Sequence, residues 1–261
     1  MGTSVLLVER RGPVVIATLN RPEHLNAFND ELHDTFGRFW SGVAADGEVR
    51  AVVLTGAGRA FCAGGDVDGF ERLRVDHAAR RKTMRDARRV VDEMLNVHVP
   101  VVAAVNGPAV GLGCTLATLC DIVFIADNAY MADPHVAVAL VAGDGGAITW
   151  PLYTGLLKAK QYLLTGDRVP AADAIAMGLA NFAGAGERLL SDAISFAERL
   201  AALPPQAVQD TKSVLNQSLR QAAVNALGFG LAAETHSHDT DDYAAVIERF
   251  RHPVATRGVG G

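Results

Sequence analysis

The feature that most constrains this chain is an alternation. From Pro13 to Ile125, short apolar runs rich in β-branched residues take turns with segments of helical periodicity. Ser4–Val8 and Pro13–Leu19 flank Arg10-Arg11-Gly12 and predict a hairpin. Asn29 is placed to cap a helix whose apolar face carries Leu32, Phe36, Phe39 and Trp40. Val49–Leu54 predicts a buried strand that ends at Thr55-Gly56-Ala57-Gly58. After a polar stretch, Met84, Ala87, Val90, Val91, Met94 and Leu95 recur at helical spacing. Pro100 stops that helix and Val101–Val105 is the next strand. Asn106-Gly107-Pro108 predicts a turn, Gly111–Leu119 a helix of small residues, Asp121–Ile125 a strand and Ala129–Met131 a short one. This order predicts crossover units packed side by side, an α/β fold.

Past Gly145 the alternation gives way. Trp150–Arg251 reads as helix after helix, broken at Gly166, Pro170, Gly178, Gly184 and Pro204-Pro205. The expected organisation is an α/β core over residues 1–190 and a helical C-terminal subdomain over 191–261, with a frayed tail at Thr256–Gly261. With 261 residues, 49% hydrophobic and 20% charged, the chain can bury a sizeable core and does not have the composition of a disordered one. The balance of 24 basic against 29 acidic residues, net −5, supplies no general basic field for nucleic acid. No apolar run approaches the roughly 18–20 residues that a membrane span needs. Met1-Gly2-Thr3-Ser4 lacks the basic-then-apolar pattern of a signal peptide. Cys62, Cys114 and Cys120 lack metal-ligand spacing. A reduced cytoplasmic chain, with no metal and no membrane or nucleic-acid partner, is expected.

Phosphate-cradling loops, the nucleophile elbow and the paired-histidine zinc motif are absent from the sequence. His236-Ser237-His238-Asp239 offers metal-type side chains, but in a setting that reads as an exposed, solvated turn. What stands out is two strand-to-helix junctions of similar construction. One is Arg59-Ala60-Phe61-Cys62-Ala63-Gly64-Gly65-Asp66-Val67. The other runs from Ala104 through Asn106, Gly107, Gly111, Leu112 and Gly113 to Cys114. A helix N-terminus exposes free N–H groups and a positive dipole end. Two such ends brought together would place two donors around one oxygen, the arrangement that serves carbonyl and thioester chemistry. The same glycines would equally serve tight strand–helix packing alone.

Taken together, these residues resemble the crotonase superfamily, also called the enoyl-CoA hydratase/isomerase family. Leu19-Asn20-Arg21-Pro22 with Leu25-Asn26-Ala27 resembles its N-terminal motif. Val53–Gly56 followed by Ala60–Asp66 resembles its first oxyanion loop, and Val105-Asn106-Gly107 through Cys120-Asp121-Ile122 its second. Leu164–Asp167, Ala171–Ala174 and Gly178-Leu179 resemble the helical region that follows. The resemblance implies a spiral core of β-β-α units, trimers built through the helical C-terminal part and often paired into hexamers, and an acyl-CoA thioester as partner. CoA belongs to the substrate, and no separate cofactor is implied. The two oxyanion N–H groups fall on Gly65 and Leu112. His24, Leu25, Ala63, Gly64, Gly65, Val67, Gly111 and Leu112 fall on CoA-contacting segments. The basic stretch Arg80, Arg81, Lys82, Arg85, Arg88 and Arg89 is expected to be a solvated helix face.

The chain departs from the family where its hydratases carry two glutamates. Thr115 stands at one position and His135, in Asp133-Pro134-His135-Val136, at the other. Threonine is no general base near neutral pH, though it can hydrogen-bond a water. A histidine of ordinary pKa, about 6.5, can transfer protons there. Asp144, in Val141-Ala142-Gly143-Asp144-Gly145-Gly146, is a third candidate, placed equally well to cap the helix that follows. Asp66 is expected to fix the first loop. One-base chemistry through Asp144 or His135 favours double-bond isomerisation of an enoyl-CoA over hydration. An atypical hydratase, a thioester hydrolase and a non-catalytic acyl-CoA binder are the alternatives. The pocket is expected to be lined by Val67–Ala79 and Val136–Val141.

Overall fold

The computed structural model describes residues 4–66 and 69–251. β1 (Leu6–Arg11) and β2 (Val14–Leu19) form the expected hairpin, with the turn at Gly12 in the left-handed region, φ +57°. β1 is exposed beyond Leu6, and its Glu9, Arg10 and Arg11 guard the open sheet edge. A single 3-10 turn, Pro22–His24, leads to α1 (Asp30–Ala45). The Asn29 side chain caps it by accepting from the Leu32 N–H at 2.9 Å. β3 (Ala51–Gly56) precedes α2 (Phe70–Val75) and α3 (His77–Asn96). Next come β4 (Val101–Val105), β5 (Ala109–Val110), α4 (Leu112–Leu119), β6 (Ile122–Ala126) and β7 (Tyr130–Ala132). The later part holds α5 (Gly146–Thr154), α6 (Leu156–Thr165), β8 (Val169–Pro170), α7 (Ala171–Met177), β9 (Phe182–Gly184) and α8 (Gly186–Ala201). It closes with α9 (Pro205–Leu215), α10 (Gln217–Ser237) and α11 (Asp241–Arg251).

The main sheet has the order β1-β2-β3-β4-β6-β9, parallel from β2 onward. β2, β3 and β4 are nearly continuous apolar runs because helices cover the sheet. α8 lies across β2, β3, β4 and β6, and so spans residue 190. A second sheet, β5-β7-β8, stands beside it. β8 and β9 correct the expectation of helices alone after Trp150. Strands of two and three residues are too short to show a period of two, and they exist through their pairing partners. β9 lies along β6, with the Phe182 and Phe124 rings 4.7 Å apart.

Two further expectations change. Arg80 leaves the solvated face and is buried. Its guanidinium donates to the carbonyls of Leu73 at 2.7 Å, Arg74 at 2.7 Å and Thr235 at 3.4 Å, and pairs with Asp239 at 2.8 Å. The remaining basic residues of α3 stay exposed or half-buried. The His236–Asp239 segment is only in part the exposed turn expected, since Ser237 and His238 are buried. α10 runs to Ser237, and His238 is buried with its ring 4.7 Å from that of Tyr243. α11 folds back onto its own chain, where the Tyr243 hydroxyl donates to the Phe70 carbonyl at 3.1 Å. No helix among the described residues is long and apolar enough to cross a membrane.

Candidate active site

Two asparagines hold the first glycine loop. Asn26 Nδ2 donates to the Ala57 carbonyl at 2.9 Å and the Ala60 carbonyl at 2.8 Å. Asn106 accepts from the Gly56 N–H at 3.2 Å and donates to the Gly58 carbonyl at 3.0 Å. Further on, the Phe28 N–H donates to the Gly64 carbonyl at 2.8 Å and the Asp66 N–H to the Phe28 carbonyl at 3.1 Å. This parallel bridge engages the groups on either side of Gly65 and leaves its N–H without an acceptor among the described residues. Asp66 is ion-paired with Arg21 at 2.9 Å, which matches its expected structural role.

The second loop is stitched to the first. The Cys62 N–H donates to the Pro108 carbonyl and the Val110 N–H to the Cys62 carbonyl, at 3.1 and 2.9 Å. Leu112 opens α4, so its N–H has no intrahelical partner and finds no other acceptor among the described residues. The two loops meet at Gly64. Its φ is +94°, and a Cβ there would lie 2.8 Å from the Val110 carbonyl oxygen and 3.6 Å from the Leu112 nitrogen. A Cβ on Gly113 would strike the Cys62 carbonyl at 2.2 Å. Gly113 permits the close packing foreseen for these glycines, and Gly64, Gly65 and Gly111 border a cavity.

That cavity, about 750 Å³, lies beneath both junctions and is of a size for small-molecule ligands. Ala63, Gly64, Gly65, Gly111 and Leu112 line it together with His135 and Asp144, and a Cβ on Gly111 would lie 3.5 Å from His135 Cε1. Phe70, Leu73, Val138 and Leu140 come from the segments expected to line it. Val67 lies outside the described residues. His24 is exposed, and neither it nor Leu25 reaches the cavity. The Leu25 carbonyl instead accepts from the Ala63 N–H at 3.0 Å.

The titratable wall is compact. His135 Nδ1 is tightly paired with Asp133 Oδ1, and its Nε2 stands 3.7 Å from Asp144 Oδ2. Thr115 Oγ1, behind Asp144, donates toward Asp144 Oδ1 at 3.5 Å. Burial alone would favour a neutral imidazole at His135. The Asp133 and Asp144 carboxylates outweigh it and hold the pKa well above the ordinary value. Burial raises the pKa of Asp144, against the pull of His135. The capping role open to Asp144 is not realised: Gly145 precedes α5 and no side chain caps it. The donor atoms of Asp133, His135 and Asp144 lie within 4.8 Å of one another, a spacing that a cation could bridge. The imidazole already stands between the carboxylates as their counter-charge, and proton transfer is the chemistry this set fits.

Among the titratable cavity residues, His33 and Glu234 were not singled out in the sequence, and His238 was read there as part of an exposed turn. His33 is pushed down to about 4 by burial. The only sequence signal for Glu234 was an acid within the apolar face of a long helix.

The sequence pattern of the family described as enoyl-CoA hydratase/isomerase matches residues 9–252. A probable enoyl-CoA hydratase of Rhizobium meliloti is 33% identical over 88% of each chain. The short-chain-enoyl-CoA hydratase of Clostridium acetobutylicum is 30% identical over 94% of each. Among solved structures, an enoyl-CoA hydratase/isomerase from Mycobacterium paratuberculosis superposes with a TM-score of 0.91 at 48% identity, covering 95% of this chain and 98% of that one. A monofunctional enoyl CoA isomerase of M. smegmatis superposes at 0.72 with 29% identity, covering 88% and 99%. The fold, the paired glycine junctions and these likenesses agree: the chain is an enzyme of the enoyl-CoA hydratase/isomerase family, with the crotonase fold.

Proposed function

We propose that this enzyme isomerises the double bond of an enoyl-CoA by way of a thioester enolate. The observation that carries the reading is the pair of unengaged N–H groups, Gly65 and Leu112, in the lining of a cavity that Asp144 also lines. The thioester oxygen sits between the two donors. Each is worth about 2.7–4 kcal/mol to the developing oxyanion. Asp144 takes the proton from C2, and the released pair moves through the carbonyl onto that oxygen. His135, held as an imidazolium by Asp133, steadies the Asp144 carboxylate, while Thr115 orients it. A protonated His135 is unsuited to activating water, which weighs against thioester hydrolysis. The hydratase pair of glutamates is replaced by Thr115 and His135, which weighs against hydration. CoA enters as part of the substrate.

A homotrimer fits this reading. Leu157 on α6 and Phe229 on α10 are 85% and 81% exposed, and Leu164, Val214, Leu215 and Val224 extend apolar surface over the same helices and α9. Sedimentation measures the assembly.

The catalytic reading is tested with 2-enoyl- and 3-enoyl-CoA thioesters offered to wild type and Asp144→Asn. Interconversion of the two by wild type, lost in the variant, is expected. A 3-hydroxyacyl product would establish hydration instead, free CoA thiol would establish hydrolysis, and binding without any product would establish a non-catalytic binder.

A further inference from the structure

α10 brings a third carboxyl to this cavity. Gly230 on α10 and Gly143 on the acid loop meet backbone to backbone. A Cβ on Gly143 would lie 2.4 Å from the Gly230 carbonyl oxygen, and one on Gly230 would lie 2.9 Å from that of Gly143. This contact seats α10 against the loop that carries Asp144. One turn on, Glu234 turns its carboxyl into the same cavity as Asp144 and His135. Glu234 is only 6% exposed, and its Oε2 has no hydrogen-bond partner. A Cβ on Gly143 would stand 2.9 Å from that oxygen.

A buried oxygen without a partner in its own protein is costly unless something else meets it. This one packs against the Gly143 backbone, and the Glu234 side chain lines the cavity together with Asp144 and His135. We infer that Glu234 is a second catalytic residue, a neutral carboxylic acid that delivers its proton to the carbon skeleton of the acyl group while Asp144 acts as the base. The inference rests on the enolate reading above and goes beyond it.

The surroundings keep the proton on Glu234. Burial is the largest influence, the His135 imidazolium and the Gly143 backbone N–H oppose it, and Asp144 and Asp133 reinforce it, with the balance at about 8. From its own and neighbouring helices, His238 lies one turn on, Arg80 donates to the Thr235 carbonyl, and Tyr243 faces it from α11. In the step, C2–H breaks and its proton goes to Asp144. The electron pair becomes the dienolate, with charge on the thioester oxygen. As that charge returns, C2=C3 forms, the C3=C4 pair takes the Glu234 proton at C4, and Glu234 is left as carboxylate. Proton return from Asp144 to Glu234 restores the site, so nothing is oxidised or reduced.

Glu234→Gln is the deciding variant, since an amide keeps the shape and a donor N–H but has no proton to give. Two readouts are compared in deuterated water. One is C2–H exchange of a saturated acyl-CoA, which needs only the base and the oxyanion donors. The other is conversion of 3-enoyl- to 2-enoyl-CoA, with deuterium followed at C4. Wild type is expected to show both, with solvent deuterium at C4. Glu234→Gln is expected to keep C2 exchange and lose isomerisation by on the order of 10²–10⁴-fold. Glu234→Asp is expected to recover part of it. The infrared band of a protonated carboxyl should be present in wild type and lost in Glu234→Gln. Equal isomerisation by Glu234→Gln, or a folded Glu234→Gln that loses exchange and isomerisation alike, overturns the donor role and leaves the enolate reading standing. A wild type showing neither reaction overturns the enolate reading itself, and this inference with it.

Discussion

The two walls of the cavity are built on opposite principles. The glycine wall is backbone: two N–H groups fixed by loop-to-loop hydrogen bonds, all drawn from short segments that follow β3 and β4. The other is side chain: His135, with Asp133 behind it, beyond β7, Asp144 before α5 and Glu234 on α10, each tuned by the others. Backbone donors tolerate changes of side-chain identity but not changes of path. A titratable cluster tolerates small shifts of path but not the loss of a proton or a charge.

That contrast can be broken at several points. The largest effect is expected at the side-chain wall. Asp144→Asn should lower kcat by on the order of 10²–10⁴-fold while substrate binding, read by calorimetry with a saturated acyl-CoA, is retained. Weakened binding of matching size would move Asp144 from the chemistry to the structure. On the backbone wall, Gly113→Ala pushes a methyl toward the Cys62 carbonyl, 2.2 Å away, and separates the loops. The expected loss is about 10²–10³-fold in kcat, comparable to removing one oxyanion donor. A fully active variant would show that the spacing of the loops is not critical.

Smaller effects fall on stability. Asn26→Ala removes the donor that holds the Ala57 and Ala60 carbonyls and should cost about 1–3 kcal/mol in denaturant unfolding. Stability also carries a slope with pH. His135 and Glu234 both hold protons more tightly folded than unfolded. The stabilisation from His135 is present below its ordinary value of about 6.5 and is lost as pH rises through the raised folded value. For Glu234, folding grows less favourable between its ordinary value, about 4.3, and about 8. Stability should therefore fall from pH 5 to pH 9, and His135→Asn and Glu234→Gln should each flatten that slope. A stability that rises with pH in wild type would mean the imidazolium is not favoured by the fold.

Much of the glycine wall was legible in the chain, because strand, glycines and helix start follow one another locally. The local order marked the two junctions, and the resemblance to the family put the donors on Gly65 and Leu112. The hairpin, the Asn29 cap and the apolar face of α3 were legible for the same reason. β8 and β9 were not, since their few residues become strands only by lying beside β7 and β6. Nor was the burial of Arg80, whose charge is satisfied by carbonyls from α2 and α10. Asp144 was legible as an acid beside glycines, and the choice between capping and the cavity was not. A cap is settled by local backbone geometry, and here Gly145, at φ +148°, turns the chain so that Asp144 faces Thr115 and His135.

By itself the sequence determined the alternation of strands and helices and the two glycine-bearing junctions, and its resemblance to the family implied Thr115 and His135 at the positions of the hydratase glutamates. Those are properties of neighbours along the chain. Only the tertiary structure decided which acids share a cavity, because everything from α5 to α9 separates Asp144 from Glu234 in sequence and the Gly143–Gly230 contact brings them together. Protonation followed from that meeting, since burial and a neighbour's charge are properties of space.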